Sequence, residues 1–271
     1  VNRQLLSSGA DITAINTIRK RLSAVKGGRF AKLCAPAQIV TIALSDVLGD
    51  NPASIASGPA APDSTTCGDA LRIAEKYRLA LPPQAAALLR RETPKTLPNA
   101  TVQVVGGMRL ARAAAARACK KLGYPVRVFL PALKCEAADA GRFFGALAAR
   151  AERQGRRLAV VAGGETVVTL AADHGLGGRN QEAALAAATC LRGTDSCFFS
   201  LGTDGTDGPT DAAGGYADGD TLRELEARGL HLAEVLKDND AYHALQQVDG
   251  LIFTGATGTN VNDVSVLLVR R

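Results

Sequence analysis

Between residues 101 and 162, short apolar runs alternate with helix-length amphipathic stretches, and this alternation constrains the fold more than any other feature of the chain. Residues 101–105, 125–130 and 157–162 read as strands. Residues 109–122 and 137–154 carry apolar side chains at helical spacing. Strands joined by helices of this length predict a layered α/β domain whose sheet is mixed and largely parallel. The pattern continues with helices at 180–191, 221–228 and 241–248, and strands at 198–201, 251–254 and 264–269.

The first hundred residues are less regular. Asp11 is placed to cap a helix whose face is marked by Ile12, Ile15, Ile18, Leu22 and Val25, and Gly27-Gly28 supplies its stop. Residues 38–44 read as a buried strand that ends in Ser45-Asp46. After the loop 51–63, helices are expected near 67–77 and 84–91, the second introduced by Pro82-Pro83. The proline-containing segment 93–99 reads as a connection, so the chain divides into an expected domain at 1–97 and another at 98–271.

Composition removes several function classes. The net charge of +6 is scattered along the chain, aromatics are 4% and Trp is absent, which leaves little for stacking on nucleic-acid bases. Apolar runs such as 39–44 and 158–162 are too short to span a bilayer. Six cysteines contain no C-x-x-C pair and three histidines lack ligand spacing, which argues against zinc and predicts thiols in a reducing cytoplasm. Neither G-x-G-x-x-G after a strand nor G-x-x-x-x-G-K-[ST] occurs, so a dinucleotide oxidoreductase or a P-loop kinase is disfavoured.

Chemistry concentrates in glycine-polar loops that follow the strands. These are Gly163-Gly164-Glu165-Thr166, the stretch from Gly202 through Thr203, Asp204, Thr206, Asp207 and Asp211 to Gly215, and the run from Gly255 to Asn260 and Asp263. Ligands of open α/β sheets collect at the carboxyl ends of strands, where carboxylates can hold a hard cation or a polyol. Gly177-Gly178-Arg179-Asn180 opens a helix, where unpaired N–H groups and a guanidinium favour an anion; a plain glycine turn with a solvated arginine fits the residues equally well.

Taken in order, the motifs Val25-Lys-Gly-Gly-Arg29, Leu44-Ser-Asp-Val-Leu-Gly-Asp50, Ile55-Ala-Ser-Gly-Pro59, Gly163-Gly-Glu-Thr166, Gly177-Gly-Arg-Asn-Gln-Glu182, Gly202-Thr-Asp-Gly-Thr-Asp-Gly208, Asp238-Asn-Asp240 and Thr259-Asn-Val-Asn-Asp263 resemble the glycerate 2-kinase family. Its carboxyl-terminal module is the MOFRL domain, here about residues 157–271, and its members have also carried the label hydroxypyruvate reductase. The resemblance implies a Rossmann-like amino-terminal domain, present in part, followed by the α/β domain. Family members extend further at the amino end, through a glycine-serine-rich loop and an active-site lysine. The chain therefore corresponds to the carboxyl-terminal portion of such an enzyme, and is expected to be incomplete by itself.

The implied reaction is transfer of phosphate from ATP, with Mg2+, to the 2-hydroxyl of D-glycerate; an NAD(P)H-dependent reductase and a non-catalytic ligand-binding fragment are the alternatives. For a phosphoryl transfer, Arg179 is the expected cationic clamp. Asp204 and Asp207 are the expected metal-holding or proton-accepting groups. Gly163, Gly164, Glu165, Gly177, Gly178, Asn180, Thr203, Thr206, Asn260 and Asp263 are expected to line the same site, with Lys26, Arg29, Ser45 and Asp46 facing it from the first domain. Expected partners are glycerate and a nucleotide, with a second copy of the chain as a further candidate, and neither nucleic acid nor membrane.

Overall fold

The structure, a computed structural model, describes residues 1–130 and 132–270, and the chain divides into two compact units, Val1–Val105 and Gly106–Arg271. The first unit contains α1 (Asn2–Ser7), α2 (Ile12–Leu22), α3 (Arg29–Cys34), β1 (Ile39–Leu44), α4 (Cys67–Lys76), α5 (Pro83–Leu89) and β2 (Ala100–Gly106). Its core gathers Leu5, Ile15, Ile18, Ala70 and Leu89 from the four helices α1, α2, α4 and α5. Asp11 caps α2 by accepting from the Ala14 N–H at 2.8 Å, as its position before the apolar stripe predicts.

Two departures arise in this unit. The division falls beyond the 93–99 connection because β2 pairs with β1 in a two-stranded sheet. β1 is also not a fully buried strand. Its residues alternate, leaving Val40 and Ile42 about 70% exposed, since a two-stranded sheet packed on one side covers only every second side chain.

The second unit contains α6 (Met108–Lys121), β3 (Val126–Val128), α7 (Ala137–Arg153), β4 (Leu158–Gly164), α8 (Arg179–Leu191), β5 (Ser196–Gly202), β6 (Gly214–Asp218), α9 (Thr221–Ala227), α10 (Leu232–Lys237), α11 (Ala241–Gln247), β7 (Leu251–Ile252) and β8 (Asp263–Val269). Its sheet has six strands in the order β3-β4-β8-β5-β6-β7. Helix α6 covers one face with Ala116 and Cys119 against Val161 and Val266. Helices α7 and α8 cover the other, where Phe144 and Leu185 join Val160, Phe198 and Leu267. Successive residues of β4 thus enter opposite cores, which explains why the strand reads as a continuous apolar run.

The sheet is mixed, but its parallel character is confined to β3–β4; the other pairings are antiparallel. This corrects the expectation of a largely parallel sheet. Strand β8 inserts between β4 and β5 and runs against both, and β5 returns to β6 through a loop rather than a helix.

Helix α8 is buried around nearly its whole circumference from Asn180 to Ala188. Alanines and the glycines of α7 make this possible. A Cβ on Gly141 would overlap the Ala183 carbonyl oxygen, and one on Gly145 would lie 2.6 Å from that of Ala187. Gly141→Ala is therefore expected to destabilise the second unit by about 1–3 kcal/mol, the usual cost of overpacking, measured by urea unfolding.

Candidate functional site

The antiparallel insertion of β8 decides where the polar loops meet. Asp263, the first residue of β8, is in register with Gly164 at the end of β4 and with Gly202 at the end of β5. The segment leading into β8 therefore reaches the same rim as the segments leaving β4 and β5. Side chains tie the loops together. Thr203 donates its hydroxyl to the Asn262 carbonyl at 2.6 Å and accepts from the Val261 N–H at 2.8 Å, while the Thr257 hydroxyl donates to the Thr203 carbonyl at 2.6 Å.

Arg179, at the start of α8, points into this rim. Its guanidinium makes a fork to Asp263, Nε to Oδ2 at 2.6 Å and Nη2 to Oδ1 at 3.0 Å, and Nη1 reaches Glu165 at 3.3 Å. The Asp263 hydrogen bond, stronger than the opposing effect of burial, raises the Arg179 pKa further and keeps the group permanently charged. Three of the five N–H donors of a guanidinium are thus engaged, and the side chain is about one third exposed. The positive charge expected for an anion clamp is largely balanced by Asp263 and Glu165, two residues expected beside it as ligands in their own right.

Asp207 has a different place from the one expected. Buried at the N-terminus of α8, it accepts from the Asn180 N–H with both oxygens at 3.1 Å, from the Gln181 N–H at 2.9 Å and from the Asn180 amide at 3.0 Å. Burial pushes its pKa up against the pull of these N–H bonds. The anion-binding helix terminus thus holds an anion supplied by the chain itself. Glycine makes the approach possible, because a Cβ on Gly178 would collide with the Asp207 carboxyl. Asn180 extends the network, its Oδ1 accepting from the Ser200 hydroxyl, which also contacts Ser265 at 2.8 Å.

Asp204 is half-buried at the rim, and its Oδ1 closes a turn by accepting from the Thr206 N–H at 3.1 Å. Its other carboxylate oxygen has no hydrogen-bond partner among the described residues. Thr206 and Asn260 are exposed, and Asn260 Oδ1 accepts from the Asn262 N–H at 3.0 Å. The expected metal pair of Asp204 and Asp207 does not fit a cation, because every Asp207 oxygen is committed to N–H donors. Among the described residues no group of three or more His, Cys, Asp or Glu is arranged to hold a metal.

The four residues of the first unit have local roles. Arg29 donates from Nη1 to the carbonyls of Lys20, Arg21 and Ser23 at 2.5–3.2 Å, closing the end of α2 where carbonyls lack partners. Burial and the neighbouring Arg21 charge lower its pKa. Lys26 donates to the Ala56 carbonyl at 2.7 Å, Ser45 is buried in a turn with Val47, and Asp46 is exposed.

Two residues absent from the expected set stand out. Glu182, one turn along α8 from Arg179, is buried and accepts on Oε2 from the Asn239 amide at 3.1 Å. Asn239, in the left-handed region at φ 50°, also accepts from the Ala171 N–H at 2.9 Å. Both lie within sequence motifs named above, but only their burial together gives either a role.

Comparison with known proteins agrees with this architecture. The MOFRL family model matches residues 158–263, and a model described as Domain of unknown function (DUF4147) matches residues 1–90. The chain is 46% identical over 270 residues to the D-glycerate 2-kinase of Thermotoga maritima, covering 98% of this chain and 64% of that protein. It is 35% identical to the glycerate kinase of Macaca fascicularis, covering 82% of that protein. A crystal structure of Thermotoga maritima glycerate kinase superposes with a TM-score of 0.94 over 99% of this chain and 66% of that one. The chain thus spans less than two thirds of the length of the Thermotoga relative. No described helix is long and apolar enough to cross a membrane. On identity, order of motifs and fold together, the chain belongs to the glycerate 2-kinase family.

Proposed function

We propose that the protein containing this chain transfers the γ-phosphoryl group of ATP to the 2-hydroxyl of D-glycerate, releasing ADP and 2-phosphoglycerate. The observation that carries this reading is the 46% identity to a D-glycerate 2-kinase over nearly the whole chain. The rim built by Asp204, Arg179, Glu165 and Asp263 supports it chemically. Phosphoryl transfer is mostly positioning and charge stabilisation. The unengaged oxygen of Asp204 suits acceptance of the substrate hydroxyl proton. Asp263 orients the guanidinium, and the remaining Arg179 N–H donors suit a phosphate or carboxylate oxygen. Asp207 acts behind them, fixing the start of α8 and so the direction of Arg179. Magnesium would enter with the nucleotide phosphates.

In the full protein that contains this chain, ADP should appear only when glycerate is present. Asp204→Asn should lower kcat about 100-fold or more, the range of a positioned general base, with the melting temperature unchanged. An unaltered kcat would remove Asp204 from the chemistry. Oxidation of NADH by hydroxypyruvate, indifferent to ATP, would replace the kinase by a reductase.

A further inference from the structure

A cavity of about 370 Å³ lies in the second unit beside α8, within the size range of small-molecule sites. Val167, Val168, Leu170, Pro209 and Ala241 give it apolar walls, Glu182 and Asn239 contribute polar groups, and Arg179 lines it one helical turn from Glu182. Glu182 is 94% buried, and its Oε1 receives no hydrogen bond from the described residues, whereas Oε2 is held by Asn239. A buried side chain with one oxygen unpartnered and open to a cavity can make a further hydrogen bond to a molecule seated there.

We infer that this cavity seats the adenine base of the phosphoryl donor, with the Glu182 carboxyl on the polar edge of the base and Asn239 as the positioning residue that holds it. The inference rests on the kinase reading for the identity of the nucleotide. The cavity chemistry separates the two substrates. Glycerate is a three-carbon anion with two hydroxyls; Arg179, His174 and Thr166 offer it polar partners, but it is too small to cover the apolar walls of a cavity of about 370 Å³. A flat, uncharged heterocycle with a polar edge matches both features. Burial, opposed by the Asn239 hydrogen bond, raises the Glu182 pKa, and a ring nitrogen that accepts from the carboxyl would select its protonated form. In that form Oε1–H donates to a ring nitrogen such as N1, and Oε2 accepts from the exocyclic amine as well as from Asn239. Arg179 then lies on the side from which the phosphates leave, towards the rim.

Adenosine, which lacks phosphates, is the direct probe, with binding read by calorimetry on the full protein and with KM for ATP and for glycerate read separately. Glu182→Gln retains a donor and an acceptor in the same volume and should bind adenosine within about threefold of the unaltered protein. Glu182→Leu should weaken adenosine binding and raise KM for ATP by about 10-fold or more, leaving KM for glycerate unchanged. Leu170→Ser, at an exposed wall position that does not endanger folding, should weaken adenosine binding by about threefold. Wild-type adenosine affinity in both Glu182→Leu and Leu170→Ser would overturn the inference. Adenosine binding that responds to these variants in a protein that never phosphorylates glycerate would leave the inference standing and remove the kinase reading instead.

Discussion

Asp207→Ala is expected to destabilise the second unit by about 3 kcal/mol or more, because losing an N-cap carboxylate costs about 1–2 kcal/mol and each buried donor left without an acceptor adds about 1–3 kcal/mol. The donors concerned are the N–H groups of Asn180 and Gln181 and the amide of Asn180. They lie at the start of a helix that is buried almost throughout, so water cannot replace the lost acceptor. Asp207→Asn keeps one acceptor oxygen and should lose roughly half as much, as measured by thermal or urea unfolding. The same pair of variants tests a catalytic alternative. If Asp207 held a metal, Asp207→Asn would raise the magnesium concentration needed for turnover without lowering stability. The expected result is the reverse, a lower melting temperature with the magnesium dependence unaltered.

Asp63→Ala should unfold the first unit more readily still. Lys20 and Arg21, both buried on α2, place Nζ and Nη1 at 3.0 and 3.7 Å from its carboxylate, and Thr93 donates to it at 2.8 Å. Removing one partner of a buried ion pair leaves uncompensated charge and costs about 3–5 kcal/mol. For a domain of this size each kcal/mol lowers the melting temperature by about 4–8 °C, so the loss should exceed about 12 °C. The pH dependence follows from the same contacts. Burial alone would push the Asp63 carboxyl up, but hydrogen bonds from Thr93, Lys20 and Thr65 and the Lys20 charge hold it below the ordinary aspartate value. A depressed folded-state pKa contributes stability that is fully present above the unfolded value near ~3.9 and is lost as pH falls through the folded value. Acid unfolding of the unaltered protein below about pH 4 should therefore be steeper than that of Asp63→Asn.

Much of the site was legible because its signals are local. Glycine-polar loops after apolar runs marked the exits of β4 and β5, and the run before β8 was placed at the same rim. Parallel strands would have brought strand ends together, whereas the segment before β8 arrives because β8 is antiparallel to both neighbours. Strand direction leaves little trace in composition when both faces of a strand are buried, as they are for β4 and β8. The roles of individual groups were less legible. Arg179 and Asp263 are 84 positions apart, and Asp207 and Asn180 are 27 apart. Nothing near Asp207 distinguishes a helix cap supplied from another loop from a metal ligand. Arg29 likewise carries no local sign that its guanidinium will close the end of α2.

The sequence alone determined where most helices and strands lie, which residues carry charge near strand ends, and which family the motifs resemble. Each of these depends on periodicity, turn chemistry or ordered spacing, which are properties of neighbours along the chain. Tertiary structure decided which charges remain available. It spent Asp207 on α8, balanced Arg179 with Asp263 and Glu165, and left one Glu182 oxygen facing a cavity. The physical reason is that a polar group in a folded chain is defined by its partner and by its distance from water. Both are set by segments that meet only after β8 has inserted between β4 and β5.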